Sequence, residues 1–105
     1  VVLATPHSLH CSQVMQVAAA GKAVFCEKPL SLTRSDAERA VAACKKAGVP
    51  LGVGQNKRFW PSCTELRRVV TSGALGRIMH VEGHYSNEHS SKFFAPWRDL
   101  PSETP

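Results

Sequence analysis

Three short segments of the chain concentrate side chains that can bind polar ligands or move protons. Residues 5–10 read Thr-Pro-His-Ser-Leu-His, residues 27–29 read Glu-Lys-Pro, and residues 55–58 read Gln-Asn-Lys-Arg. Carboxylates, imidazoles and amines are the groups that proteins use for proton transfer at a bound substrate. Taken alone, segment 27–29 is equally compatible with a solvated turn, so the elements around the three segments decide what they mean.

Each of these segments follows or ends a short apolar run that is typical of a buried strand. The runs cover residues 1–5, 23–26 and 50–55. Proline interrupts the first two, after Thr5 and again at position 29, because it has no N–H to give to a β-ladder. Continuous apolar strands of this kind are typical of parallel sheets that are covered on both faces.

Three helices are predicted between and after these strands. The first spans residues 8–20 with Ser8 as its N-cap. The second starts within residues 33–38, where two patterns resemble capping arrangements, and the third starts near Pro61. A glycine stands where each helix should stop: Gly21, Gly48 and Gly73.

This alternation of strand and helix predicts an α/β fold with a parallel sheet built from right-handed βαβ units. The carboxyl ends of parallel strands share one edge, and ligands of open α/β sheets bind in the crevice at that edge. The three polar segments are therefore expected to converge on one candidate site.

After Gly76 the pattern changes to two-residue alternation. Residues 77–86 place Met79, Val81 and Tyr85 on one face of a predicted, half-exposed strand of a different sheet, with His80, Glu82 and His84 on the other. These three polar residues with His89 could hold zinc. We favour a polar sheet face and predict no metal site. Residues 87–105, with an aromatic patch at 93–97, are interpreted as the beginning of a connection.

Composition narrows the remaining classes. The 105 residues include 13 Lys and Arg against 8 Asp and Glu, a net charge of +5, but the basic residues are scattered, so a nucleic-acid partner is not expected. No apolar run approaches the ~20 residues of a membrane span. The four cysteines form no Cys-x-x-Cys pair and are interpreted as buried thiols in a reducing, cytoplasmic compartment rather than as a disulfide or zinc framework.

Four motifs occur in a characteristic order and spacing. They are residues 4–10, the Ala-Gly-Lys-Ala-Val-Phe-Cys-Glu-Lys-Pro-Leu string at 20–30, Gly-Gln-Asn-Lys-Arg-Phe-x-Pro at 54–61, and Gly-x-Leu-Gly at 73–76. The sequence resembles the Gfo/Idh/MocA oxidoreductases, the family of glucose-fructose oxidoreductases and inositol dehydrogenases. The resemblance covers residues 1 to about 86 and reaches position 98.

The resemblance implies an internal fragment of a two-domain protein. Residues 1–76 would be the C-terminal half of a Rossmann domain, and residues 77–105 would begin an α/β substrate domain with an open antiparallel sheet. The pyrophosphate-binding Gly-rich turn of the family has no counterpart, since Gly52-Val53-Gly54 lies inside a predicted strand. The family's downstream catalytic histidine is also missing.

Residue by residue, the resemblance assigns catalysis and cofactor contact to Lys28, which would stabilise or relay the proton of the substrate hydroxyl. Glu27 would contact the cofactor ribose or pair with Lys28, or it would only satisfy local backbone groups. The other expected cofactor-binding residues are Thr5, Pro6, His10, Asn56, Arg58, Trp97 and Arg98. His7 stands where the family often has asparagine.

The function implied by the resemblance is hydride transfer between NAD or NADP and a secondary alcohol of a sugar, cyclitol or related polyol. The fragment by itself is expected to be inactive. The alternatives are a dinucleotide-binding or regulatory module without turnover and a redox-assisted glycosidase of the same family. Expected partners are a small polyol or sugar substrate and, through the second-domain sheet, further copies of the parent protein, with no membrane.

Overall fold

A computed structural model of the chain describes residues 1–84, Trp97 and residues 100–103. The described residues form two compact units. The first unit contains residues 1–55 together with Trp97 and residues 100–103, and the second contains residues 56–84.

The first unit is a three-stranded parallel sheet with its connecting helices. The strands are β1 (Val2–Leu3), β2 (Val24–Cys26) and β3 (Leu51–Val53), in the spatial order β1-β2-β3. Helix α1 (His10–Ala19) connects β1 to β2, and α2 (Arg34–Ala47) connects β2 to β3. The predicted parallel α/β arrangement is therefore confirmed, with strands shorter than the apolar runs.

The core lies between the sheet and the two helices. Its buried apolar side chains come from all these elements except β3: Leu3, Cys11, Val14, Ala18, Val24, Cys26, Ala40 and Cys44. Small side chains at Ala18, Ala40 and Cys44 let α1 and α2 pack closely against each other, as a dense protein interior requires.

The ends of α2 follow the predicted local signals. The Thr33 hydroxyl accepts a hydrogen bond from the backbone N–H of Asp36 at 3.1 Å, and Gly48 ends the helix with a φ of 65°. A left-handed φ is unfavourable for residues that have a Cβ atom, so a glycine is suited to this position.

The predicted start of the first helix is wrong. A 3₁₀ turn, His7–Leu9, precedes α1, and Pro6 is its N-cap residue, with φ −55° and ψ 147°. Ser8 therefore lies inside the turn instead of capping it. Its backbone N–H and hydroxyl are bound by a side chain 95 positions away, which no local pattern signals.

The second unit consists of a 3₁₀ turn, Asn56–Phe59, followed by α3 (Pro61–Thr71). Pro61 is at the start of α3, as predicted. The strand expected over residues 77–86 is not found in its described part, because residues 77–84 form no strand. A strand requires a neighbour for its N–H and C=O groups, and the described sheet contains only β1–β3. Tyr85, His89 and the aromatic residues before Trp97 lie outside the described residues.

Candidate functional site

The polar segments that follow β1 and β2 emerge side by side at one edge of the sheet. Leu3 is paired with Cys26 in the ladder, and the Glu27 N–H donates to the Leu3 carbonyl at 2.9 Å. On the other side of β2, the Gly54 N–H donates to the Cys26 carbonyl at 2.9 Å. This register brings the residues after Leu3 next to Glu27 and Lys28.

A cavity of about 90 Å³ lies at this edge. Its lining consists of Ala4, Thr5, His7, His10, Glu27, Lys28 and Trp97. Five predicted site residues therefore come together around one space. Ligand pockets typically measure roughly 300–1,000 Å³, so this space suits one end of a large ligand rather than a whole dinucleotide.

Lys28 and Glu27 are both exposed. The Lys28 N–H donates to Oε2 of Glu27 at 3.1 Å, and within the described residues no ion pair joins the two side chains. Glu27 thus satisfies a local backbone group, which was one of the expected alternatives. The Lys28–Pro29 peptide bond is cis.

The position of the Glu27 carboxylate depends on Gly54. A Cβ atom at position 54 would lie 3.0 Å from Oε2 and 3.1 Å from Oε1 of Glu27. Real Cβ contacts are rarely this short, so a larger residue at position 54 would push the carboxylate away. The predicted Gly52-Val53-Gly54 pattern therefore serves side-chain packing at the end of β3.

His10 is the largest of the fully buried side chains in the described part of the chain. Its Nδ1 donates to the Pro29 carbonyl at 2.6 Å, and its Nε2 donates to the Thr5 carbonyl at 3.0 Å. Both partners are backbone carbonyl oxygens, which only accept hydrogen bonds. His10 thus ties the ends of β1 and β2 together beneath the cavity, and its expected contact with a cofactor stays a prediction.

Thr5 is held by helix α1. Its hydroxyl donates to Oε1 of Gln13 at 2.6 Å. The hydroxyl oxygen keeps lone pairs available as an acceptor. Sequence reasoning missed Gln13, although a polar residue one turn into a helix after a strand end is a signal that could have singled it out.

The remaining predicted site residues are placed differently. Pro6 precedes the 3₁₀ turn, and its neighbours Thr5 and His7 line the cavity. Asn56 and Arg58 lie in the 3₁₀ turn of the second unit, where both are exposed. Arg98 lies outside the described residues.

Trp97 lines the cavity next to His7, a residue that was not predicted as part of the site. The two rings pack edge to face with centroids 5.2 Å apart. His7 also lies near His10, at 5.7 Å between ring centroids, and its Nδ1 donates to the Glu103 carbonyl at 2.7 Å. Glu103 was missed because nothing in the sequence near position 103 indicates a contact with position 7.

Two of the candidate zinc ligands contact each other. His84 pairs with Glu82 at 2.9 Å. Among residues 1–84, 97 and 100–103, no group of three His, Cys, Asp or Glu side chains is close enough to hold a metal ion. His89 lies outside these residues.

The cysteines are free thiols, with Cys11, Cys26 and Cys44 buried and Cys63 partly exposed. Burial and, to a smaller extent, the Glu27 carboxylate raise the pKa of Cys26 to about 11, and burial also raises the pKa of Cys11 and Cys44. A thiol with a raised pKa is a poor nucleophile, so these three cysteines are structural.

A larger groove of about 620 Å³ lies between α1 and α2. Its lining is mostly alanine, with Met15, Arg39 and Lys46. It contains none of the predicted site residues. Pocket size alone therefore does not identify the chemistry-bearing site.

The cofactor implied by the sequence can be tested against the cavity at the sheet edge. The cavity offers an ammonium, a carboxylate, a hydroxyl acceptor and an aromatic wall, which suit the amide and hydroxyl groups of a nicotinamide riboside. Because Gly54 has no Cβ atom, there is room for the Glu27 carboxylate at this edge of the sheet. The described residues thus fit one end of the cofactor.

Comparison with known proteins agrees with this geometry. Residues 1–55 match the family model described as "Oxidoreductase family, NAD-binding Rossmann fold". The chain belongs to the Gfo/Idh/MocA oxidoreductase family. The predicted family and its nicotinamide-cofactor fold are thereby confirmed.

The alignments with individual relatives cover most of this chain but only a small part of each relative's own length. D-apiose dehydrogenase of Paraburkholderia graminis is 45% identical over 70% of this chain and 20% of its own length. The 2,7-anhydro-N-acetylneuraminate hydratase of Escherichia coli is 30% identical over 99% of this chain and 28% of its own length. The chain thus spans less than a third of these family members.

A solved structure gives the same fold. The WlbA dehydrogenase from Bordetella pertussis, crystallised with NADH and UDP-GlcNAcA, matches 72% of this chain and 23% of its own with a TM-score of 0.70 and 39% identity. In the described part of the present chain, no helix has both the length and the apolar character needed to cross a membrane.

Proposed function

We propose that this chain carries the lysine and part of the nicotinamide site of an NAD- or NADP-dependent dehydrogenase acting on a secondary alcohol of a sugar or related polyol. The observation that carries the proposal is the placement of Lys28 with Glu27 and Thr5 around one cavity at the carboxyl ends of parallel strands. D-apiose dehydrogenase, one of the relatives, has a sugar as its named substrate.

In this proposal these residues would hold a nicotinamide cofactor, which would supply the hydride-transfer chemistry when bound. Lys28 exchanges the substrate hydroxyl proton at its Nζ, because the hydroxyl must lose its proton as the carbinol carbon becomes a carbonyl. Glu27 and Thr5 accept hydrogen bonds from ribose or amide groups. Trp97 forms one wall of the cavity against which the cofactor would pack.

The parent protein is proposed to have two domains. Residues 1–76 belong to the cofactor domain, and residues 77–105 begin the substrate domain. Asn56 and Arg58 are proposed to face the nicotinamide and substrate, and Arg98 is proposed to close over the cofactor together with Trp97. The substrate-domain sheet is proposed to join copies of the parent protein. The residue roles rest on the family motifs. The proposal of a longer, two-domain parent rests on the small share of each relative that the chain spans.

The decisive test is Lys28→Met in the complete polypeptide that carries this segment. General acid–base catalysis contributes roughly 10²–10⁴-fold, so kcat should fall at least about tenfold on a panel of polyols, followed by absorbance of the reduced cofactor. Lys22→Met, at an exposed lysine outside the cavity, is the matched control and should leave kcat unchanged. Equal kcat for Lys28→Met and the unsubstituted protein would refute the proposed role of Lys28.

Binding separates an enzyme from a regulatory module. In ¹H–¹⁵N spectra of this chain, NADH should shift the amide signals of Thr5, Glu27 and Lys28 before those of α2. Cofactor binding by the complete polypeptide with no turnover on any polyol would favour the module.

A second candidate is a reaction with no net change in cofactor redox state. The relative that covers 99% of this chain is named a hydratase, and addition of water needs no net oxidation. Cofactor that remains bound through purification and stays in one redox state while product accumulates would favour this candidate over a dehydrogenase.

A further inference from the structure

The Glu103 side chain is bound at the opposite end of the chain. The backbone N–H of Ser8 donates to Oε2 of Glu103 at 2.8 Å, and the Ser8 hydroxyl donates to Oε1 at 2.5 Å. Glu103 is only 7% exposed, although it is a charged residue near the end of the chain. Buried carboxylates are rare unless they are well hydrogen-bonded, so this contact organises both partners.

The contact meets an electrostatic need in the 3₁₀ turn His7–Leu9, which leads into α1. The first N–H groups of a helix have no partner within the helix, and a negative charge near them is favourable. The Ser8 hydroxyl, followed by the Ser8 N–H, lowers the pKa of the Glu103 carboxyl below its usual range. Glu103 thus supplies from a distance the capping group that Ser8 was predicted to provide.

The same segment carries Trp97. The Leu100 N–H donates to the Trp97 carbonyl at 3.3 Å, and the Glu103 N–H donates to the Leu100 carbonyl at 2.9 Å. The Trp97 ring packs on His7, whose Nδ1 donates to the Glu103 carbonyl. Two backbone hydrogen bonds therefore link Trp97 to Glu103 through Leu100, and Trp97 also lines the cavity with Lys28.

We propose that Glu103 is a positioning residue, whose bonds to Ser8 hold Trp97 against His7 as one wall of the cavity that contains Lys28. Glu103 touches no expected ligand itself. Its effect on cofactor binding rests on the proposed function, whereas its effect on Trp97 does not.

The first experiment uses Trp97 as its own reporter. The chain has two tryptophans, Trp60 and Trp97, so Trp60→Phe leaves Trp97 as the single tryptophan. In this background Glu103→Gln should shift the Trp97 emission to longer wavelength and increase its quenching by acrylamide about twofold or more, as expected for an indole released into water. Glu38→Gln, at an exposed carboxylate on α2, is the matched control and should change neither signal.

A double-mutant cycle tests whether Glu103 holds Trp97 through its bonds to Ser8. Ser8→Ala should produce part of the Trp97 change, and Ser8→Ala with Glu103→Gln should produce less than the sum of the two single changes. Far-UV circular dichroism identifies any variant that unfolds. If Glu103→Gln unfolds, Ser8→Ala becomes the deciding variant, because it removes one hydroxyl and keeps the backbone bond.

The second experiment separates this proposal from the proposed function. In the complete polypeptide, Glu103→Gln should raise the KM for the cofactor about tenfold and change kcat less than about threefold, since it misplaces a wall rather than the reacting lysine. Unchanged Trp97 fluorescence in folded Glu103→Gln and Ser8→Ala variants would overturn the positioning role. A changed Trp97 signal without any NADH binding by the unsubstituted protein would overturn the proposed function alone.

Discussion

The two faces of the sheet in the first unit differ in how far their side chains are buried. On the face covered by α1 and α2, Leu3 and Cys26 are buried, whereas Val2 and Phe25 on the opposite face are 73% and 44% exposed. Val2, Phe25 and Gly52 are paired across the three strands, so they share this open face. Burial of apolar surface stabilises the covered face far more than the open one.

The open face also includes one residue of the candidate site, Glu27. Alternation along β2 places Glu27 on the same side as Phe25, two residues earlier. Each of these side chains lies over a glycine of β3: Phe25 over Gly52 and Glu27 over Gly54. The covered face thus provides stability, and the open face provides space in which the Glu27 carboxylate lies against the sheet.

The strongest test of the covered side is His10→Phe. Phenylalanine keeps most of the ring volume but cannot donate to the carbonyls of Thr5 and Pro29. An acceptor left unpaired in a buried site costs about 1–3 kcal/mol, so we expect the free energy of unfolding in urea to fall by at least about 2 kcal/mol. His80→Phe, at an exposed histidine, should leave it nearly unchanged. A loss as small as that of the control would mean that His10 does not hold the strand ends.

A smaller effect is expected from apolar packing itself. Val14 is fully buried in α1, so Val14→Ala should lower the free energy of unfolding by about 2 kcal/mol, from lost burial and the cavity left behind. Val2→Ala removes the same atoms from the open face and should change it by less than about 0.5 kcal/mol. Equal losses in urea titrations of the two variants would contradict the difference between the faces.

The sequence predicts these structures where the cause is local. The cap at Thr33, the stop at Gly48 and the start at Pro61 depend on neighbouring residues, and each was predicted from short patterns. The convergence of Thr5, Glu27 and Lys28 could also be predicted, because parallel strands must place their carboxyl ends at one edge.

The unpredicted parts depend on contacts between distant residues. The Glu103–Ser8 bond joins positions 95 apart, and no periodicity reports it. The role of His10 depends on two carbonyls whose directions follow from the tertiary fold. The length of β1 was overestimated because apolar composition continues beyond the two residues that pair in the ladder.

The sharpest comparison of two regions of the open face comes from its two glycines. Gly52→Ala would place a Cβ 2.9 Å from Cδ2 of Phe25, but that ring is partly exposed and can turn away. Alanine also favours a strand by roughly 0.5–1 kcal/mol over glycine, so the free energy of unfolding should change by less than about 1 kcal/mol.

Gly54→Ala should have a similarly small effect on stability but a distinct effect on the site. Its Cβ would meet the whole Glu27 carboxylate at 3.0–3.1 Å, so the carboxylate must shift away from it, which changes its hydrogen bond with the N–H of Lys28. In ¹H–¹⁵N spectra the Lys28 amide should therefore move in Gly54→Ala and remain in place in Gly52→Ala. If Gly54→Ala leaves the Lys28 amide signal unmoved, Gly54 does not set the position of the Glu27 carboxylate. The proposed connection between the open face and the candidate site would then be wrong.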